Sequence, residues 1–217
     1  SDSALVDTTA PTIAANQIFN YSENHAADSS LGTITASDIS GVTGYRFSAT
    51  GTSISADGFF AINSSGVISL TNAGAAAGAA TNDFETGANT SILGVQAIDG
   101  VGNISPTTDV TLNLNNLNEA PTGTDKIVTI NEDGSKTFSA SDFGFSDVDV
   151  GDSLNSVRID SLPVGGSFTL GGNAVSSGQV ISVAQLGTLI FTPTPNASGD
   201  NYTQFSFSVK DQNGLFD

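Results

Sequence analysis

Apolar residues recur at every second position in short runs along this chain, and turn residues break each run. LGTITAS (31–37), TSILGVQAID (90–99), DVTLNLNNL (109–117), KIVTI (126–130), GTLIFTPT (187–194) and QFSFSVK (204–210) all carry this pattern. A period of two sends alternate side chains to opposite faces, which suits a half-buried strand and not a helix. Runs rich in β-branched and aromatic residues, separated by turns every 8–12 residues or so, predict an all-β sandwich. In FFAINSSGVISL, segments 59–62 and 67–70 flank Asn63, Ser64, Ser65 and Gly66, a hairpin signal. NAGAAAGAATNDF (72–84) is the exception: its alanines favour helix, but its glycines limit the length, so a loop with at most a turn or two of helix is expected.

A length of 217 residues allows one or two domains. The break falls at NNLNEAPTG, where Pro121 cannot continue a ladder, and DTTAPTI repeats the signal with Pro11. Residues 1–10 therefore read as a linker from a preceding module, 11–118 as one sandwich and 119–217 as a second. In the first, the segment after Asp99 returns as a closing strand. In the second, only Gln-Asn-Gly-Leu-Phe-Asp follows Asp211, so its closing strand is expected from further along a parent chain, after an inserted domain, or from a neighbouring chain. The opening SDSALVDTTAPT has neither the basic start nor the apolar run of a signal peptide, so the sequence reads as a piece of something longer.

Charge narrows the partners. Asp and Glu number 22 against 5 Lys and Arg, a net charge of −17. Phosphate backbones and anionic membrane surfaces would be repelled, and cations attracted. No run approaches the 18 or so apolar residues of a transmembrane helix. There is no Cys to form a disulfide. His25 is the single histidine, no G-x-S-x-G motif accompanies it, and it reads as an exposed loop residue. Tyr202 is the one aromatic side chain expected to be available to a sugar. Carboxylate pairs can serve a glycosidase, but no cleft-forming insertion is visible.

SDVDVGD (146–152) sets three carboxylates within six residues, with no Lys or Arg nearer than Lys136 and Arg158. Two such charges about 4 Å apart repel by roughly 4 kcal/mol at an effective dielectric of 20. Such a segment must either splay its acids into water or gather them around a cation.

Ordered motifs favour the cation. The first module reads Tyr21-Ser-Glu23-Asn24, Ala36-Ser-Asp38-Ile-Ser40-Gly41, Asp57-Gly-Phe59-Phe-Ala-Ile62, Gly66-Val-Ile68, Asp83-Phe-Glu85, Val95-Gln-Ala97-Ile-Asp99 and Asn116-Leu-Asn118-Glu119-Ala-Pro121. Over its whole length this resembles a cadherin repeat. The second module is similar to cadherin-like tandem repeats of giant bacterial adhesins, often of the RTX type. It carries Asn131-Glu132-Asp133-Gly134, Phe143-Gly-Phe145-Ser-Asp147-Val-Asp149-Val-Gly151-Asp152, Val157-Arg-Ile159-Asp-Ser-Leu162-Pro163 and Phe205-Ser-Phe207-Ser-Val209-Lys-Asp211.

The resemblance implies two tandem cadherin-like (Ig-like Greek-key) sandwiches and calcium as cofactor. It draws metal ligands from Glu23, Asp83 and Glu85, from Asn116, Asn118 and Glu119 in the linker, and from Asp147, Asp149 and Asp211. Calcium takes 6–8 oxygens, which such a mixture supplies. A further set, Asp7, Asp38 and Asp99, would face a preceding module, and Asp152 is a further candidate beside Asp149. Ser40 stands where the pattern has a second acid, and Asn116 where it often has Asp; each removes a charge. The implied function is calcium-stiffened extension on a bacterial cell surface, without catalysis. Neighbouring modules of the same chain are the partners, and any glycan or protein ligand is reached through an adjacent domain. Two other readings stay open: the pair itself grips a glycan or protein, or it is an accessory module of a secreted polysaccharide hydrolase.

Overall fold

A computed structural model describes residues 7–217, which divide into two compact units with the boundary between Leu117 and Asn118. Both are β-sandwiches, as the alternating runs predict.

Unit 1 contains β1 (Thr12–Ile13), β2 (Gln17–Ser22), β3 (Ser30–Thr33), β4 (Ala36–Ser37), β5 (Val42–Phe47), β6 (Phe60–Ile62), β7 (Val67–Leu70), β8 (Thr90–Asp99) and β9 (Thr108–Asn115). One sheet has the order β2-β9-β8-β5 and the other β3-β7-β6, with β1 and β4 paired beside them. β9 runs antiparallel to β8 and parallel to β2, from Gln17 opposite Val110 to Ser22 opposite Asn115. Alternation decides what is buried: Val110, Leu112 and Leu114 of β9 meet Val95 and Ala97 of β8, with Phe47, Phe60, Ile68 and Leu70 filling the core. The expected hairpin forms as β6 and β7. Gly66 closes it at φ +81°, where an L side chain would be strained, and the Asn63 side chain accepts the Ser65 and Val67 N–H groups. Segment 72–84 is a succession of turns without helix.

Unit 2 contains β10 (Lys136–Thr137), β11 (Ser156–Ser161), β12 (Ser167–Leu170), β13 (Asn173–Ala174), β14 (Gln179–Ser182), β15 (Leu189–Thr192) and β16 (Ser206–Lys210), with 3-10 turns at Ala140–Asp142 and Val183–Thr188. Its sheets are β10-β15-β12-β13 and β14-β11-β16. Val157, Ile159, Ile181, Leu189 and Val209 are fully buried. Phenylalanines fill the rest of the core edge to face, with Phe168 and Phe205 at 4.8 Å and Phe143 and Phe207 at 5.0 Å between ring centroids.

One strand expectation fails. Segment 126–130 has the alternation of a strand but forms no ladder among the described residues. It follows Pro121 as β2 follows Pro11, and β2 has β9 as its one sheet neighbour. In unit 2, β16 takes the place of β8, and no described strand lies beyond it for 126–130 to join. Alternation alone does not make a strand when the hydrogen-bonding partner is missing.

Candidate cation sites

The strand period sets the carboxylates of both units. In β8 the buried phase Val95, Ala97 continues to Asp99, which is 2% exposed. In β16 the same phase carries Val209 on to Asp211, which is 0% exposed. A carboxylate driven inward by register must find donors, and the following turn provides them. Asp99 Oδ1 accepts the Val101 and Asn103 N–H groups at 2.9 and 2.8 Å, and its Oδ2 accepts Asn103 Nδ2 at 2.7 Å. Burial, the largest influence on Asp99, pushes its pKa up, but these hydrogen bonds together outweigh it and hold the group below the ordinary value. Asp211 Oδ1 accepts Leu215 N–H at 2.9 Å and also the Gly214 N–H, and its Oδ2 accepts Asn118 Nδ2 at 2.8 Å. Its pKa is likewise lowered, burial again opposing the Asn118 and backbone donors.

Around Asp99, unit 1 gathers Asp7 and Asp38, each offering a carboxylate oxygen within 4.8 Å of the others. Asp38 Oδ1 accepts Ser40 N–H at 2.7 Å, and Ser40 Oγ donates to Asp7 Oδ2. The serine standing in an acid's place thus acts as a donor within the cluster. That contact, first, and the Thr9 N–H, second, keep Asp7 below the usual carboxylate range. Asn103 Nδ2 also reaches the Asp7 and Thr9 carbonyls at 3.2 and 3.1 Å.

Elsewhere in unit 1, Glu23 is 4% exposed. Its Oε1 accepts Leu117 N–H at 2.6 Å and its Oε2 accepts Phe84 N–H at 2.8 Å. Glu85 brings a carboxylate oxygen within 4.8 Å of one on Glu23. Asp83 belongs to none of the three-carboxylate groups among the described residues; its Oδ2 lies against Gly78. Asn116 is exposed just beyond β9. His25 departs from the exposed position expected of it. It is half-buried, its ring edge-on to Tyr21 at 5.9 Å, and its backbone N–H donates to Asn82 Oδ1 at 2.7 Å. Asn82 also donates to the His25 and Ala75 carbonyls, pinning the turn before Asp83.

In unit 2, SDVDVGD curls into a turn rather than splaying into water. Asp149 N–H donates to Asp147 Oδ1 at 3.0 Å, and Asp152 N–H to the Asp149 carbonyl at 3.2 Å. Carboxylate oxygens of Asp147, Asp149 and Asp152 then lie within 4.8 Å of one another. Asp149 is 7% exposed, and its Oδ2 accepts Glu119 N–H at 2.8 Å, near the start of the unit. Asp147 Oδ2 is a buried atom with no hydrogen-bond partner. Asn213 Nδ2 spans Asn118 Oδ1 and both oxygens of Asp152. Burial first, and then the charges of Asp147, Asp211 and Asp149, push Asp152 up against the opposing pull of Asn213. Lys136–Asp142 and Arg158–Asp160 form ion pairs elsewhere in the unit. Two oxygens on one calcium at about 2.4 Å lie at most about 5 Å apart, so this donor set fits that ion.

Sequence reasoning passed over Asn103, Asn213 and Asn82. The first two had a signal: DGVGN and DQNG each place Asn in a glycine turn after a strand-end Asp. Asn82 had none, since its contacts are to residues distant in the chain.

Among the described residues no helix is long and apolar enough to cross a membrane. Residues 118–217 match the family described as a bacterial Ig domain. No curated protein matches the chain. Among solved structures it is similar to Drosophila N-cadherin EC1-4, at 20% identity and a TM-score of 0.52, covering 94% of this chain and 46% of that one. It is also similar to human protocadherin-24 EC1-2, at 17% identity and a TM-score of 0.55, covering 96% of this chain and 89% of that one. The chain thus spans about half the length of the N-cadherin fragment and most of the protocadherin one. At such identities the likeness is one of fold. The protein is a pair of cadherin-like, Ig-like β-sandwiches.

Proposed function

We propose that this chain is a calcium-dependent extension segment of a large bacterial cell-surface adhesin of the RTX kind, held outside the cell as part of the stem that presents a ligand-binding region. The observation that carries the reading is the unit 2 turn. Three carboxylates converge there within 4.8 Å, and Asp147 Oδ2 is buried without a hydrogen-bond donor. Like charges so close are unfavourable alone, and a bound calcium supplies the compensating charge and a shell of oxygens. Asp149 orients the chain at Glu119, and Asp211 fixes Asn118. Both residues begin unit 2, so its acidic turn is tied to the linker. At the other side of that linker, Glu23 of unit 1 grips the Leu117 N–H. In this reading Glu23, Glu85, the linker residues and the unit 2 acids serve a common cation set that stiffens the passage between modules. The bacterial Ig match and the cadherin-like fold support a surface location and a role without catalysis.

Calorimetry with calcium and with a chelator tests the proposal. Extracellular calcium modules bind with dissociation constants of about 10⁻⁴–10⁻³ M. A hundredfold excess over that value stabilises a one-site protein by about 2.7 kcal/mol. A clear rise in the melting temperature is expected, and superimposable curves would refute calcium dependence.

A further inference from the structure

In unit 1, β8 runs on past one of its two partners. Its register with β5 stops at Val95 opposite Phe47, whereas its register with β9 continues to Thr90 opposite Asn113. Backbone direction alternates along such a strand. The Asn89 carbonyl accepts Leu114 N–H at 2.9 Å on the β9 side, and the Gly94 carbonyl accepts Ser48 N–H at 2.8 Å on the β5 side. Ile92, in phase with Gly94, therefore turns its backbone groups toward the place where β5 has ended. Among the described residues no backbone group meets its N–H or C=O. Its side chain is 67% exposed.

The chain after β5 loops back to face this edge. Ala49, Ala56 and Asp57 stand across a cavity of about 260 Å³ from Ile92 and Leu93, and buried Phe47 also lines it. The far wall is fixed by its own bonds: Thr50 Oγ1 donates to the Ile54 carbonyl at 2.7 Å, and Ser55 Oγ accepts Phe60 N–H at 2.9 Å. The cavity is smaller than the roughly 300–1,000 Å³ of small-molecule sites, and suits one long side chain with the backbone that carries it.

The walls of this notch are apolar and its rim is acidic. Asp57 Oδ1 is occupied, accepting Ser55 Oγ at 2.5 Å and Phe59 N–H at 2.9 Å. Asp57 is exposed, and its Oδ2 accepts nothing among the described residues. Asp109 adds a second carboxylate on the β9 side, opposite Gly94. Residues 1–117 contain a single Lys or Arg, Arg46, and its Nε donates to Gln96 Oε1 at 2.9 Å. Unit 1 thus supplies no cation of its own to Asp57.

We propose that this notch docks an extended basic segment of a partner protein, which pairs its backbone with Ile92 and lays a lysine side chain in the cavity. The stem rests against Phe47 and Leu93, and the ammonium meets Asp57 Oδ2. An unpaired strand edge recruits an extended peptide, and the adjoining pocket selects its side chain. Lysine matches both halves of the slot, with a hydrocarbon stem and a charged tip. The net charge of −17 favours a basic partner over an acidic one. The notch lies wholly in unit 1 and uses none of the carboxylates assigned to calcium.

The probe is the blocked peptide acetyl-Thr-Val-Lys-Val-Thr-amide, titrated into the 217-residue chain. Calcium is present, so that the carboxylate clusters do not compete for the lysine, and the ionic strength is about 0.15 M to screen exposed charges. Amide shifts are expected to centre on Ile92, Leu93 and Asp57, with exchange at Ile92 slowed at saturation. Asp57→Asn, or norleucine in place of the lysine, should weaken binding at least about tenfold. Asparagine keeps an oxygen for Ser55 and Phe59, so the turn survives that change. Ala56→Phe, at an exposed position on the rim, fills the notch and should abolish binding. No shift at Ile92, shifts spread evenly over the acidic surface, or equal affinity for the lysine and norleucine peptides would each overturn the proposal. So would protection of Ile92 in the chain alone that fades on dilution, because a second copy would then fill the notch.

Discussion

A buried carboxylate is the residue-scale device of this protein, and the same strand phase places Asp99 and Asp211 inside the two sandwiches. Asp149 is also buried, and its companions Asp147 and Asp152 come from its own turn, whereas Asp99 draws Asp7 and Asp38 from distant segments. Asp149→Ala removes one oxygen donor and the acceptor of Glu119 N–H, and should lower calcium affinity at least about tenfold by isothermal titration. Asp142 belongs to another kind. Burial, its largest single influence, pushes its pKa up, but the Lys136 ion pair at 2.9 Å and the Ser139 donors prevail and hold it below the ordinary value. A depressed carboxylate pKa contributes stability above the unfolded value of about 3.9 and loses it as pH falls through the folded one. Asp142→Asn should therefore lower the melting temperature of unit 2 at neutral pH. The gap to the parent protein should close as pH falls below about 4. A gap independent of pH would assign the effect to packing instead. Gly32 is limited by shape: a Cβ there would stand 2.3 Å from the Phe19 ring. Gly32→Ala should destabilise unit 1 by about 1–3 kcal/mol in urea titration.

At the scale of elements, β9 is the strand on which unit 1 depends most. It is paired on both sides, and Val110, Leu112 and Leu114 put three side chains into the core. Leu112→Ala should cost about 2–5 kcal/mol. Because β2 has β9 as its one sheet neighbour, amide exchange in β2 should rise more than in β6 or β7, which belong to the other sheet. Equal changes in both sheets would mean that the unit opens as a whole. The contrast between β2 and segment 126–130 is the natural control: both alternate, and the one with a partner is a strand.

For the whole molecule, a charge of −17 makes cations the general stabilisers, so specificity has to be separated from screening. Calcium should raise the melting temperature at millimolar concentration, where sodium at equal ionic strength does not. Magnesium should substitute poorly, since it demands a tighter octahedral shell. If Glu85 and Asp149 serve a common cation set, Glu85→Ala and Asp149→Ala should be non-additive in calcium affinity. Additive losses would assign them to independent ions.

Much of this protein was legible before any coordinates. Period-two alternation, with prolines at residues 11 and 121, determined an all-β chain of two sandwiches, because strand faces are set by local sequence and Pro interrupts a ladder. The crowding of Asp147, Asp149 and Asp152 was also local, since an Asx-type turn needs only neighbours. Tertiary structure decided what depends on distant partners. It left Asp83 outside the carboxylate groups, half-buried His25 against Tyr21 and Asn82, and brought Asn103 and Asn213 onto carboxylates. It also withheld strand structure from 126–130. The physical reason is the same in each case: a side chain's period sets the face it presents, but a hydrogen bond is settled only when another segment arrives to complete it.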